Sequence, residues 1–188
     1  MLSEWCYFDK ALSNDECDAL VSYLEANYEY QDSTIGFGED SKVDEEFRNC
    51  KIAWVDPLKE QRVINLLWYY ANRANRDHFN FDLKYINEIQ FTKYEGDVVF
   101  PGKYNWHHDV DWITPGCFHR KLSLSFILSD GYEGGEFEFD SALSQLPPEA
   151  LQKGSIIAFP SFFTHRVSPV TSGIRYSIVT WVEGPKWR

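Results

Sequence analysis

The sequence has 188 residues and a formal net charge of −11, with 44% hydrophobic and 17% aromatic residues. This composition excludes an intrinsically disordered chain, which would lack the apolar residues that a core requires. The negative charge disfavours a nucleic-acid partner, because binding to phosphates depends on lysine and arginine. No apolar run approaches the roughly 20 residues needed to cross a bilayer, and the amino terminus lacks the pattern of a secretory signal. We therefore expect a cytoplasmic protein with no membrane partner.

The four cysteines show neither paired nor regular spacing. Irregular cysteines are typical of reduced thiols in a cytosolic protein, so we predict no disulfide at Cys6, Cys17, Cys50 or Cys117. The chain contains no internal repeat and no composition shift that would mark a linker. It is therefore predicted to form one domain over residues 1–188.

Two helices are predicted in the first half of the chain. Ser13-Asn14-Asp15-Glu16 has the pattern of a capping box, and the apolar spacing that follows predicts a helix over 14–26. Asp56-Pro57 predicts the start of a second helix, which would run to about residue 76. The acidic segment 29–47 between them, rich in glycine and serine, is predicted to be a mobile loop.

Short strands are predicted at 51–55 and throughout the second half of the chain. The β-rich or alternating segments there are separated by turn residues. Helices followed by many short strands predict a mainly β fold with flanking α-helices, a β-sandwich or jelly roll braced by the amino-terminal helices. The predicted strands of the second half are 85–94, 122–128, 135–139, 154–159 and 174–182.

The segment Trp106-His107-His108-Asp109-Val110-Asp111 carries the first part of a candidate metal site. In a strand, His107 and Asp109 would point to one face and His108 to the other. Two imidazoles and one carboxylate can bind one face of Fe(II) and leave positions open. The alternative is a solvated polar loop, but His165 in a later β-rich segment supplies the second imidazole that the metal hypothesis needs.

Arg175 lies in an otherwise apolar predicted strand and shares a face with Ser177. A buried guanidinium must be paired, because burying an unpaired charge is very costly. Two partners are open: a structural carboxylate such as Glu136 or Glu138, or the carboxylate of a ligand with a further hydrogen bond from Ser177.

The run from Tyr94 to Trp181 contains a series of characteristic segments. They are Tyr104-Asn105-Trp106-His107-His108-Asp109, Arg120-Lys121-Leu122-Ser123, Tyr132-Glu133-Gly134-Gly135-Glu136, Gly154-Ser155-Ile156-Ile157-Ala158-Phe159-Pro160, His165-Arg166-Val167-Ser168-Pro169-Val170 and Gly173-Ile174-Arg175-Tyr176-Ser177. In these segments the chain resembles the Fe(II)- and 2-oxoglutarate-dependent oxygenases, in particular the short bacterial and phage members of the prolyl 4-hydroxylase-like branch. The resemblance implies a double-stranded β-helix fold, which agrees with the strand prediction. It would place the protein in the cytoplasm of a bacterial cell or a phage-infected host.

The same resemblance implies the roles of the site residues. His107, Asp109 and His165 would hold Fe(II), and Arg175 would bind the distal carboxylate of 2-oxoglutarate. Tyr94 is similar to a family tyrosine that hydrogen-bonds this co-substrate. O2 would be consumed, 2-oxoglutarate would be decarboxylated to succinate, and ascorbate would serve as reductant.

The resemblance leaves the substrate open. A peptidyl residue, with proline as the default, is the first hypothesis, and a free amino acid or small metabolite is the second. A jelly-roll module that binds a metal or sugar without turnover is the third. A nucleic-acid demethylase is disfavoured by the charge and by Trp181, where such relatives usually carry an arginine. The segments 29–47 and 96–105, the latter longer than is usual in the family, are expected to determine the substrate.

Overall fold

The computed structural model describes residues 4–36, 41–113, 116, 118–140 and 145–187. Cys117 and residues 37–40 of the predicted loop lie outside these ranges. The described cysteines Cys6, Cys17 and Cys50 are buried free thiols, as predicted. No helix in the described ranges is long and apolar enough to span a membrane.

Two α-helices lie in the amino-terminal half, and most of the strands follow them. The helices are α1 (Asn14–Asn27) and α2 (Gln61–Ala74), and a π-helical turn (Asn75–Phe79) continues α2. The strands are β1 (Cys6–Phe8), β2 (Gln31–Asp32), β3 (Arg48–Asn49), β4 (Lys51–Val55), β5 (Tyr85–Glu95), β6 (Gly102–His107), β7 (Phe118–Ile127), β8 (Glu133–Gly134), β9 (Phe137–Phe139), β10 (Ile156–Pro160), β11 (His165–Ser172) and β12 (Ile174–Pro185). A short 3-10 helix (Pro148–Leu151) precedes β10.

The strands form two antiparallel sheets. The major sheet has seven strands in the order β1-β10-β7-β12-β5-β4-β2. The minor sheet has the order β3-β6-β11-β8, and β9 also pairs with β11. The mainly β jelly-roll architecture with flanking helices is therefore confirmed.

The alternation of side chains along the major-sheet strands produces three layers. On β7, Leu122 and Leu124 face the helices, whereas Ser123 and Ile127 face the minor sheet. The core between helices and sheet includes Leu24 of α1 and other fully buried residues of both helices. A second core lies between the sheets. Successive side chains of a strand point to opposite faces, so one strand contributes residues to both cores.

The second helix begins later than predicted. The Asp56 side chain accepts a hydrogen bond from the amide of Leu58, and the Asp56 carbonyl accepts from the amides of Lys59 and Glu60. These bonds close a separate turn after Pro57, and α2 starts at Gln61. The capping box of α1, by contrast, forms as predicted between Ser13 and Glu16.

Several strands were not predicted because they are short or lack alternation. They include β1, β2 and β3, and the predicted strand at 135–139 is divided between β8 and β9. The described part of the predicted loop 29–47 contains β2 and a bridge between Ile35 and Lys42, so it is not without structure. Pairing with distant strands stabilises these segments, which local sequence patterns do not reveal.

Candidate active site

His107, Asp109 and His165 meet between the two sheets. His107 ends β6 and lies directly opposite His165 in β11, where the two strands pair. Nε2 of His107 lies 3.8 Å from Oδ1 of Asp109, and Nε2 of His165 lies 3.7 Å from Oδ2. One potential ligand atom from each residue lies within 4.8 Å of the others. This spacing leaves room for one metal ion between three donors.

Asp109 does not reach this position as part of a strand, as the alternation argument had assumed. β6 ends at His107. The Asp109 amide donates to the carbonyl of Ser161 at 2.8 Å, and the hydroxyl of Ser123 donates to Oδ2 at 2.6 Å. The carboxylate is therefore oriented by bonds from other parts of the chain.

Both imidazoles present an unprotonated nitrogen to the cavity. Nδ1 of His107 lies 2.7 Å from the carbonyl of Asn105, and Nδ1 of His165 lies 2.9 Å from the carbonyl of Phe163. A carbonyl only accepts hydrogen bonds, so in each ring Nδ1 carries the proton and Nε2 has a free lone pair. Such bonds fix the tautomer that a metal requires.

The pKa values of His107 and Asp109 are both lowered in the site. Burial lowers the pKa of His107 to about 3, and His165 nearby acts in the same direction. Burial acts to raise the pKa of Asp109, but the two imidazoles and the bond from Ser123 hold it below its ordinary value. Metal binding needs neutral imidazole and ionised carboxylate, and the lowered pKa values favour these states of His107 and Asp109 at neutral pH.

The neighbouring polar residues take other positions. His108 lies outside the three-residue cluster and contacts Trp112, with ring centroids 6.3 Å apart. The Asp111 side chain accepts a hydrogen bond from the amide of Ile113 at 2.9 Å. The carbonyls of Asn105 and Phe163 orient the histidines.

Arg175, Ser177 and Tyr94 line the same inner cavity as the triad. Arg175 lies opposite Tyr94 where β12 pairs with β5, and its Cζ lies 5.4 Å from the centre of the tyrosine ring. Nη1 of Arg175 donates to Oγ of Ser177 at 3.2 Å. The structure thus brings together every residue that the sequence had indicated for iron and co-substrate.

The guanidinium of Arg175 has no structural counter-ion within the described ranges. The side chain is only 1% exposed, and Nε is buried without a hydrogen-bond partner. Glu138 pairs with Arg166, and Glu136 accepts from the hydroxyl of Ser168. Neither of the two expected structural partners therefore pairs with Arg175, and the ligand-carboxylate alternative fits.

Sequence reasoning missed several residues of the site. Ser123 and Ser161 orient the metal carboxylate, and the sequence indicated Ser123 only as part of the matching segment 120–123. Arg48 and Trp181 also line the inner cavity, together with residues such as Gln90, Tyr104 and Ser125.

The triad opens outward into a second space, the outer cleft, of about 530 Å³. Its walls include Trp54, Glu88, Tyr104, Trp106, Arg120 and Trp181.

Residues 89–183 match the family model described as the 2OG-Fe(II) oxygenase superfamily. The chain belongs to this superfamily. A PKHD-type hydroxylase of Synechococcus sp. (strain CC9311) is 30% identical over 92% of this chain and 74% of its own length. The oxygenase also shares its fold with two solved structures. A viral collagen prolyl hydroxylase of Paramecium Bursaria Chlorella virus-1, in a 2OG complex, covers 97% of both chains at 20% identity and a TM-score of 0.71.

The second solved structure is a prolyl hydroxylase of Trichoplax adhaerens in complex with a hypoxia inducible factor peptide fragment. It covers 96% of this chain and 83% of its own, with 17% identity and a TM-score of 0.73. The family and its hydroxylase members identify the protein as an oxygenase enzyme of the hydroxylase type. Its cofactors are Fe(II) and 2-oxoglutarate, and the donor set of the cavity fits both. The hypothesis of a binding module without turnover is therefore set aside.

Proposed function

We propose that this oxygenase hydroxylates a peptidyl residue, with proline as the first candidate, and converts 2-oxoglutarate and O2 to succinate and carbon dioxide. When bound, iron and 2-oxoglutarate supply the oxidising chemistry, and the protein orients them and excludes side reactions. The observation that carries the proposal is the buried Arg175, unpaired by any described carboxylate, in one cavity with two histidines and an aspartate.

His107, Asp109 and His165 would hold the metal through one face and leave the side toward the cavity open for co-substrate and O2. The Arg175 guanidinium would bind the distal carboxylate of 2-oxoglutarate, because its planar fork matches that group and its burial leaves the charge unscreened. Ser177, which already accepts a bond from Arg175, would fix the orientation of the fork. Tyr94, buried opposite Arg175, would contact the same carboxylate.

A peptide substrate is supported by the outer cleft. It is open, adjoins the metal cluster and has aromatic walls, among them Trp54 with 43% of its surface exposed. Open clefts with aromatic walls suit extended, proline-containing segments. The peptide complex of the Trichoplax adhaerens enzyme agrees with this substrate class.

An anaerobic titration tests the site. Addition of Fe(II) and then 2-oxoglutarate should give the visible metal-to-ligand charge-transfer band of the chelate. The band should vanish in Asp109→Ala and weaken in Arg175→Ala, with circular dichroism confirming that both variants are folded. A folded wild-type protein without the band would refute the cofactor assignment to these residues.

An aerobic experiment tests the reaction. Succinate release should depend on a proline-containing peptide, and the peptide should gain one oxygen atom by mass spectrometry. Stimulation by free amino acids but by no peptide would replace the peptidyl substrate with the small-molecule alternative.

A further inference from the structure

Arg48 is a second buried guanidinium beside the metal cluster. It lies on β3, directly opposite Tyr104 of β6, and only 7% of its surface is exposed. Its Cζ lies 4.3 Å from the centre of the Tyr104 ring. Nε donates to Sγ of Cys50 at 3.4 Å, and Nη1 donates to the carbonyl of Thr34 at 3.2 Å. None of these contacts is with a carboxylate.

No carboxylate of the described chain forms an ion pair with Arg48. An arginine has five N–H donors in a fixed plane. Nη2 makes no hydrogen bond to any residue in the described ranges, so donors remain for a ligand. A buried cation that no carboxylate pairs is costly unless an anion joins it.

The position of Arg48 separates it from the co-substrate residues. Arg48 lies on the minor sheet and lines both the inner cavity and the outer cleft. Arg175 lies on the major sheet and lines the inner cavity but not the outer cleft. The two guanidinium groups therefore approach the metal cluster from opposite sheets, and of the two only Arg48 lines the outer cleft.

The other charges of the outer cleft are already compensated. Nη2 of Arg120 lies 2.6 Å from Oε2 of Glu88. Under the proposed function, Asp109 is a ligand of the metal ion, which compensates its charge. Among the described residues of the cleft, Arg48 is the cation that no carboxylate pairs, although the chain as a whole has a net charge of −11. A local excess of positive charge selects an anionic ligand.

We propose that Arg48 binds a carboxylate of the substrate, so that this oxygenase acts on a residue with a carboxylate next to it. The carboxylate is either an acidic side chain beside the hydroxylated residue of a peptide or the free carboxylate of an amino acid. This inference rests on the proposed function and specifies its substrate class. The contacts with Tyr104, Cys50 and Thr34 hold the guanidinium in place before the substrate arrives.

A purely structural role for Arg48 makes a different prediction. The Tyr104 ring stacks on the His107 ring, with centroids 3.5 Å apart and an angle of 15° between the planes. If Arg48 only held this stack, its loss would weaken the metal chelate and would leave the choice between acidic and neutral substrates unchanged.

The test measures binding of matched probes to the wild-type enzyme with Fe(II) and 2-oxoglutarate under anaerobic conditions. One pair is N-acetyl-aspartyl-prolinamide and N-acetyl-asparaginyl-prolinamide, and the other is proline and prolinamide. The shift of the charge-transfer band on titration reports binding. For one pair, the acid should bind roughly tenfold to a hundredfold more tightly than the amide, the range expected for a hydrogen bond to a charged group. The pair that shows the difference identifies the source of the carboxylate.

Arg48→Gln should remove the preference for the acid while the band itself is kept, and Arg48→Lys should keep part of it. Arg73→Gln, which removes a cation packed on Phe8 at the helical layer, is the matched control and should leave the preference unchanged. An intact band with no difference between acid and amide in wild-type enzyme, including no response to any probe, overturns the inference. So does a preference that survives in Arg48→Gln. Absence of the band in wild-type enzyme is instead the failure of the proposed function.

Discussion

The hydroxyl of Ser123 donates a hydrogen bond of 2.6 Å to Oδ2 of Asp109, and this bond joins the two sheets at the metal cluster. Ser123 belongs to β7 of the major sheet, whereas Asp109 follows β6 of the minor sheet. The hydroxyl of Ser161 lies 2.9 Å from that of Ser123 and continues the network. The orientation of the carboxylate thus depends on the packing of one sheet against the other.

Loss of this bond should weaken metal binding. Ser123→Ala leaves Asp109 in place but removes the group that orients its carboxylate, so the affinity for Fe(II) should fall about tenfold to a hundredfold. Anaerobic titration with Fe(II) measures the change. Ser155→Ala is the control, because Ser155 is equally buried and donates one bond, to the carbonyl of Glu149, away from the metal cluster. Equal affinities in the two variants would contradict the orienting role.

Removal of the Arg175 guanidinium should weaken the binding of 2-oxoglutarate. Arg175→Ala should raise the concentration of 2-oxoglutarate needed for turnover, at a cost of about 2–5 kcal/mol if a buried charge pair is lost. Titration of the chelate band with 2-oxoglutarate gives the dissociation constant directly. Wild-type affinity in a folded variant would return Arg175 to a structural role.

The two adjacent histidines should respond differently to substitution. His107→Ala should abolish tight Fe(II) binding, because it removes one of three ligands. His108→Ala should leave metal affinity largely intact, since this side chain lies outside the cluster. Isothermal titration of both variants with Fe(II) under anaerobic conditions makes the comparison. Equal losses would mean that the ligand assignment is wrong.

Replacement of Gly154, which lies close to Leu12, should lower the stability of the protein. Gly154 has a φ of +88°, and a Cβ there would lie 2.2 Å from the carbonyl oxygen of Leu12. Gly154→Ala combines an unfavourable backbone conformation with a clash, so it should lower the free energy of unfolding by about 1–3 kcal/mol. Urea denaturation followed by circular dichroism measures the loss.

Gly131→Ala is the control for this prediction. Gly131 has a φ of +70°, and its added Cβ would meet nothing within 4 Å. This variant carries the backbone cost without the clash and should therefore lose less stability than Gly154→Ala. A loss as large at Gly131 as at Gly154 would show that contact with Leu12 contributes nothing.

The sequence was informative about the longer elements because their patterns are local. The capping box at Ser13 and the apolar spacing after it predicted α1 closely. The alternation of 122–128 predicted a strand there, and Ser123 of this strand, β7, contributes to the site. The pair Asp56-Pro57 was misleading, because Asp56 closes a turn of its own before α2 begins. Caps and turns use the same residue types, and local sequence does not separate them.

The course of segment 96–105 could not be predicted from the sequence. Its length suggested a direct part in the choice of substrate. In the structure Tyr104 lines the outer cleft, whereas Asp97 and Phe100 line a separate groove with Lys93 and Glu95. The Asn49 side chain donates to the carbonyls of Phe100 and Pro101 and fixes this course of the chain. The course of this segment therefore depends on Asn49, a residue distant in sequence, which local sequence patterns do not reveal.

The sequence by itself determined the chemistry that the cavity can support. Two histidines, one aspartate and an arginine in a β strand predict a metal with open positions and a carboxylate partner for the arginine, because residue types set ligand preference. The tertiary structure alone decided how these groups are held and which further groups join them. The hydrogen bond from Ser123 to Asp109 and the stacking of Arg48 on Tyr104 arise from the packing of sheets and strands. Local periodicity shows which face of a strand a residue occupies, but only the folded chain decides what lies opposite that face.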